Sequence, residues 1–293
     1  MEIANTTQAT SLILIGFAGT PLFQNIMFTI LLLIYLATLA GNIFMIVVII
    51  SDHHLHTPMY ILLGNVSVME VCGISAVTPK LLSVLLEEET TISLPGCHVQ
   101  ILLYFTISST VFLIYSTIMR YAVCIQLTSV CLTVTFICLL YPVTMISTLT
   151  FCSCVLNDFF CDIGAVVKLI CEDVSFIKLY VLIISTFILI IPLTITTISY
   201  VFIVHTVMKI PTDKGRMKTF STCAAHLTMV SIVFGSAIFI QIRPSRDYSV
   251  ETDKLVNLVS TVLSPLLNPF IYTLRNQKVK DSIRNSNLWK KIK

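Results

Sequence analysis

Residues 94–143 form a run of almost unbroken apolar sequence whose one fixed charge is Arg120. At ~1.5 Å rise per residue, about fifty residues of helix would reach ~75 Å, whereas a bilayer core is ~30 Å thick. The stretch must therefore cross a membrane, turn and cross back. It opens with Pro95-Gly96-Cys97 and runs on to Tyr141-Pro142. A charge at mid-membrane is expensive, which places Arg120 at the cytoplasmic rim, with Gln126, Thr128 and Ser129 marking the turn.

The rest of the chain shares this character. Of 293 residues, 56% are apolar and 11% charged, against ~25% charged in a soluble domain. Barrel strands would alternate over ~10 residues; these apolar runs are longer, and predict an all-α membrane protein. Seven spans are expected, at residues 23–50, 58–85, 97–124, 127–151, 177–208, 220–242 and 255–274. An odd number puts the termini on opposite faces. Lys209, Lys214, Arg216, Lys218 and the basic tail mark one side; Glu87-Glu88-Glu89, Asp158, Asp162, Glu172-Asp173, Asp247, Glu251 and Asp253 mark the other. Basic segments stay in the cytoplasm, so the N-terminus lies outside.

The expected organisation is an outer segment 1–22, a seven-helix domain 23–274 and a basic cytoplasmic tail 275–293. Residues 1–22 lack the basic region of a signal peptide, so the first span acts as its own insertion signal. Asn5-Thr6-Thr7 is a glycosylation sequon on the outer side. In the tail, Val279, Ile283 and Leu288 share one face of a short amphipathic helix along the inner membrane surface. Beside membrane spans, such basic residues meet anionic lipid rather than nucleic acid.

Ten cysteines are present. Cys97, Cys152, Cys154, Cys161 and Cys171 lie outside, where oxidation is permitted; the odd number leaves at least one over, and the pairing stays open. Cys72, Cys124, Cys131, Cys138 and Cys223 read as small packing residues. The six histidines do not gather with them, so no metal site is expected. No Ser/His/Asp set or phosphate-cradling glycine loop is present, which argues against an enzyme.

Several motifs belong together. Gly41-Asn42 lies in the first span, and Leu55-His56-Thr57-Pro58-Met59-Tyr60 opens the second. Gly96-Cys97 opens the third, and Ser199-Tyr200 lies low in the fifth. The run from Lys218 through Phe220-Ser221-Thr222-Cys223 to His226-Leu227 opens the sixth; Pro265-Leu266-Leu267-Asn268-Pro269-Phe270-Ile271-Tyr272 closes the seventh. In this order they resemble the vertebrate olfactory receptors, a branch of the rhodopsin-like G-protein-coupled receptors, over nearly the whole chain.

The resemblance implies a plasma-membrane receptor that takes small volatile ligands outside and activates a heterotrimeric G protein inside, through cAMP. It implies disulfides Cys97–Cys161 and Cys152–Cys171, leaving Cys154 over. It implies a polar switch at Asn42, Glu70, Asn268, Pro269 and Tyr272, with Arg120, Tyr121, Tyr200 and Lys218 at the coupling face. A sodium ion could join Glu70, though nothing demands it; no other cofactor is expected. The pocket falls among the outer halves of four spans: Tyr104, Phe105, Ser108 and Ser109; Ile184 and Ile188; Phe234, Ala237, Ile238 and Gln241; Leu258 and Thr261. That lining is apolar with a few hydroxyls and one amide. It places no acid to meet an amine, and suits a small apolar volatile.

The pattern breaks at Met119-Arg120-Tyr121, where the family carries Asp before the arginine. The second cytoplasmic loop is nearly gone, and the fourth span lacks its usual tryptophan; the single Trp is Trp289, in the tail. A missing acid frees Arg120 and favours basal activity. A missing loop weakens G-protein contact and strains the hairpin, which is the larger effect, so poor coupling is expected. Two alternatives remain: a non-signalling product of a degenerating receptor gene, retained in the endoplasmic reticulum, and a small-solute transporter or channel. Against the latter stand the lack of an inverted repeat and the single deep charge, Glu70.

Overall fold

The computed structural model describes residues 10–17, 19–87, 90–117, 121–209, 211–242, 250–275, 279–280, 282 and 284. The first helix, α1 (Pro21–Ser51), is started by Thr20, whose side chain accepts from the Phe23 N–H at 3.3 Å; Pro21 sits where a helix needs no donor. Helix α2 (Pro58–Leu86) returns, followed by α3 (Leu94–Thr117) and α4 (Tyr121–Thr148). A short helix α5 (Ile163–Val166) lies in the long outer loop. Then come α6 (Ser175–Met208) and α7 (Asp213–Ile242). The last span is α8 (Val250–Leu258), a π-helical turn at Val259–Leu263, and α9 (Ser264–Arg275).

The helices form one bundle. Helix α3 is its centre, packed on α2, α4 and α6, while α1 packs on α2 and α9, and α7 on α6 and α9. Leu33, Leu36 and Phe44 of α1 and Phe187, Ile190 and Phe202 of α6 point outward, exposed. Such a surface is unfavourable in water and suits hydrocarbon. Among the described residues, Pro21–Ser51, Tyr60–Leu86, Leu94–Ile114 and Ser175–Met208 are long and apolar enough to cross a membrane by composition. Pro79, Pro142, Pro192 and Pro269 lie inside helices, as bundles in lipid tolerate.

Two boundaries differ from expectation. Helix α3 is described to Thr117 and α4 from Tyr121, so Gln126, Thr128 and Ser129 lie within α4 rather than at the turn. Scattered polar residues without Gly or Pro do not stop a helix. Likewise α7 begins at Asp213, so Lys214, Arg216 and Lys218 extend the sixth helix inward instead of forming a loop.

The outer face also holds a small sheet that was not expected. Strand β1 (Ser11–Leu14) is central, pairing antiparallel with β2 (Thr90–Ser93) and parallel with β3 (Val155–Leu156). Alternation buries Leu12 and Leu14 completely, against Val84, Cys97, Ile101, Leu156 and Cys161. The N-terminal segment is thus part of the folded roof. On the inner face, Val279, Lys280, Ser282 and Arg284 are helical, and Val279 is buried against Met45, Leu55 and Tyr60. The Ser282 hydroxyl and the His54 N–H hold the Asp52 carboxyl below its ordinary pKa, tying tail to first inner loop.

Candidate functional site

Two disulfides fasten the outer loop. Cys97 at the top of α3 joins Cys161 (Cα–Cα 5.4 Å), and Cys152 joins Cys171 within the loop (Cα–Cα 5.0 Å). Cys154 is free and exposed. Gln100, one turn below Cys97, bonds in two directions: its amide donates to the Ala76 carbonyl and its carbonyl accepts from the Cys161 N–H, both at 2.8 Å. Phe159 and Phe160, just before Cys161, are driven inward and almost fully buried.

Beneath this roof lies a cavity of about 460 Å³. Of the residues expected there, Tyr104, Phe105, Ser108, Ser109, Ile188, Ala237, Gln241 and Thr261 line it. Ile184, Phe234, Ile238 and Leu258 do not. The physical reason is helix phase, at ~100° per residue. On α6 the facing positions are Val181, Ser185, Ile188 and Leu189, which turns Ile184 aside. On α7 they are Val233, Ala237 and Gln241, so Phe234 and Ile238 pack one step round, with Phe234 edge-on to Phe112 at 4.8 Å. The π-helical turn inserts a residue into the last span. It presents Asn257, Ser260, Thr261 and Ser264, and Leu258 packs toward Phe17 and Phe159.

The roof contributes Phe160, Asp162, Ile163, Gly164 and Val167, and the outer end of α6 contributes Lys178. The only sequence signal for these was their proximity to Cys161. Met69, Glu70 and Gly73 of α2 line the deep end. The expectation that no acid faces the cavity is therefore corrected: Asp162 lies at its outer end and Glu70 at its floor. Two polar links cross it. Tyr104 and Thr261 share a hydroxyl bond of 2.9 Å, and the Gln241 amide donates to Thr186 at 2.7 Å and Ser185 at 3.2 Å.

Below the cavity, the Asn42 amide donates to Thr38 O at 3.1 Å and Pro265 O at 3.2 Å, and the Asn268 amide donates to Glu70 Oε1. These bonds join α1, α2 and α9 in a buried polar layer. Gly41 lets α1 approach closely, because a Cβ there would lie 2.9 Å from Pro269 Cγ. Tyr200 is half-buried on α6. Arg120 and Asn5 fall outside the described residues, as do the side chains of Tyr121, Lys218 and Tyr272. Among the described residues no cluster of three His, Cys, Asp or Glu could hold a metal ion.

The olfactory receptor family model matches residues 31–290. The chain belongs to the olfactory receptor family. It is 37% identical to human olfactory receptor 5AN1, covering 96% of each chain. It is 34% identical to human olfactory receptor 6F1, over 97% of this chain and 98% of that one. Its fold is that of squid rhodopsin, with a TM-score of 0.68 over 93% of this chain and 87% of that one at 14% identity. This olfactory receptor is accordingly a multi-pass membrane receptor with seven helices, not an enzyme. Family and fold together imply a small ligand outside and a G protein inside.

Proposed function

We propose that this olfactory receptor takes a small, mostly apolar volatile into the roofed cavity and signals through a stimulatory G protein of the olfactory type, raising cAMP. The observation that carries the reading is the cavity itself. It is lined mostly by aromatic and aliphatic side chains, with hydroxyls such as those of Ser108, Ser109 and Ser260 among its neutral polar points and charge at its two ends, Asp162 and Lys178 outside and Glu70 at the floor. Ligand pressing on Ala237 and Gln241 would bias α7 toward one of two packings against α6, and the inner end of α7 would carry that bias to the G protein. Coupling is weak in this reading, because Met119 stands where the family carries an acid before Arg120 and the sequence has almost no second cytoplasmic loop. The receptor works at the plasma membrane.

A ligand panel with a cAMP readout tests this, run beside surface staining of an N-terminal tag and a second receptor carrying a lengthened inner loop. A dose-dependent response that grows with the longer loop supports it. Surface-exposed receptor silent to the panel in both forms would reject it. A chain held in the endoplasmic reticulum would favour the second reading, a non-signalling receptor product, to which the same shortened sequence points.

A further inference from the structure

Lys254, near the outer end of the last span, is 1% exposed. An ammonium has three donors, and here each is used by a different part of the chain. It donates to Gly16 O of the N-terminal segment at 2.5 Å, to Asn157 Oδ1 of the outer loop at 2.7 Å, and to Glu251 Oε1 one turn away at 3.2 Å. Charge-assisted bonds of this kind are the strong ones, and a buried cation stripped of them is heavily penalised.

The ammonium also lies 5.9 Å from the Phe17 ring. From there a chain of ring contacts descends: Phe17 on Phe159 at 5.9 Å, Phe159 on Phe160 at 5.0 Å, and Phe160 on Tyr104 at 5.3 Å. Tyr104 then bonds Thr261. The path leaves the last span at Lys254 and rejoins it at Thr261, about two turns lower. It encloses the roof between two points on one helix, and its lower members line the cavity.

We propose that Lys254 is the clasp of the cavity roof: it fastens the N-terminal segment and the outer loop to the last span, and so sets how readily small molecules enter and leave. The disulfides fix where the loop is rooted; the clasp decides whether its free edge, with β1, stays down. Lys254 is a positioning residue and touches no ligand.

The test needs no odorant, so it stands apart from the proposed ligand and coupling. A cavity thiol is introduced by Ser108→Cys, and its modification by a small, permeant methanethiosulfonate reagent is timed on total membranes, with the parent chain subtracted for native thiols. Lys254→Met and Phe17→Ala should each speed modification at least about tenfold, the lower end of what losing charge-assisted bonds or a buried ring allows. Glu251→Gln, which keeps an acceptor oxygen for the ammonium on a half-exposed side chain, should change the rate less than about twofold. A thiol placed by Val66→Cys, in the inner cluster, should keep its slow rate in every variant, which separates roof opening from general loosening. Unchanged Ser108→Cys rates in both Lys254→Met and Phe17→Ala would overturn the proposal, and so would equal acceleration at Val66→Cys.

Discussion

The Gln100 side chain accepts from the buried Cys161 N–H at 2.8 Å while its other end holds the Ala76 carbonyl at the same distance. One neutral side chain thus ties α2, α3 and the outer loop together directly beside the Cys97–Cys161 bond. Replacing it with leucine keeps the bulk and leaves the buried Cys161 N–H unpaired. Gln100→Leu should cost about 2 kcal/mol, from the usual penalty of unmade buried hydrogen bonds. The detergent-solubilised receptor should melt several degrees lower. An unchanged Tm would mean water or a rearranged loop supplies the bonds.

The two disulfides should differ in weight. Cys97–Cys161 closes a separation of 64 residues and Cys152–Cys171 one of 19. Loop-closure entropy makes the first worth about 4 kcal/mol and the second about 3 kcal/mol. Cys97→Ser should therefore lose more surface receptor than Cys171→Ser, measured by staining an N-terminal tag.

Helix phase gives a test of the cavity with an internal control. Ala237 lines it, while Ile238 packs in the neighbouring cluster with Phe234. Ala237→Leu inserts bulk into ligand space and should weaken any agonist by about tenfold or more, since overpacking costs roughly 1–3 kcal/mol. Ile238→Leu and Ile184→Leu should leave potency close to wild type in dose–response curves. The reverse ranking would place the ligand elsewhere.

The roof should also respond to pH. Burial, and next the neighbouring Asp162 carboxylate, push the Asp158 carboxyl up to about 7, partly offset by its bond to the Phe159 N–H and by Lys254. The charged or titratable groups around it are Asp162 in its own loop, Lys254 from α8 with Glu251 behind it, and Tyr104 from α3. An acid whose folded pKa exceeds its unfolded value stabilises the fold most below the unfolded value. That contribution is lost as pH rises from about 4 toward 7 and is flat above it. The Tm should fall across this window in wild type. Asp158→Asn, which keeps the Oδ1 acceptor, should flatten the fall; parallel profiles would show that Asp158 does not titrate in the fold.

Much of the architecture was legible without coordinates, because lipid imposes it. Every backbone polar group must be satisfied within its own segment, so uncharged runs of helical length become spanning helices, and charge bias orients them. The run 94–143 had to be a hairpin, and Glu70, a carboxylate in an apolar run, needed polar partners or a proton; that Asn42 and Asn268 would join it was what the family resemblance implied. Tertiary structure alone decided the features that depend on helix rotation and on long-range contact. It set which of Ala237 and Ile238 faces the cavity, because one residue of helix phase rotates a face by ~100°, and the π-helical turn shifts the phase of the last span in the same way. It also made Ser11–Leu14 a strand between two distant partners and buried Lys254 among three segments. Neither leaves a local trace in the sequence: a four-residue strand has almost no period, and a lysine beside acids reads as solvated until the roof closes over it.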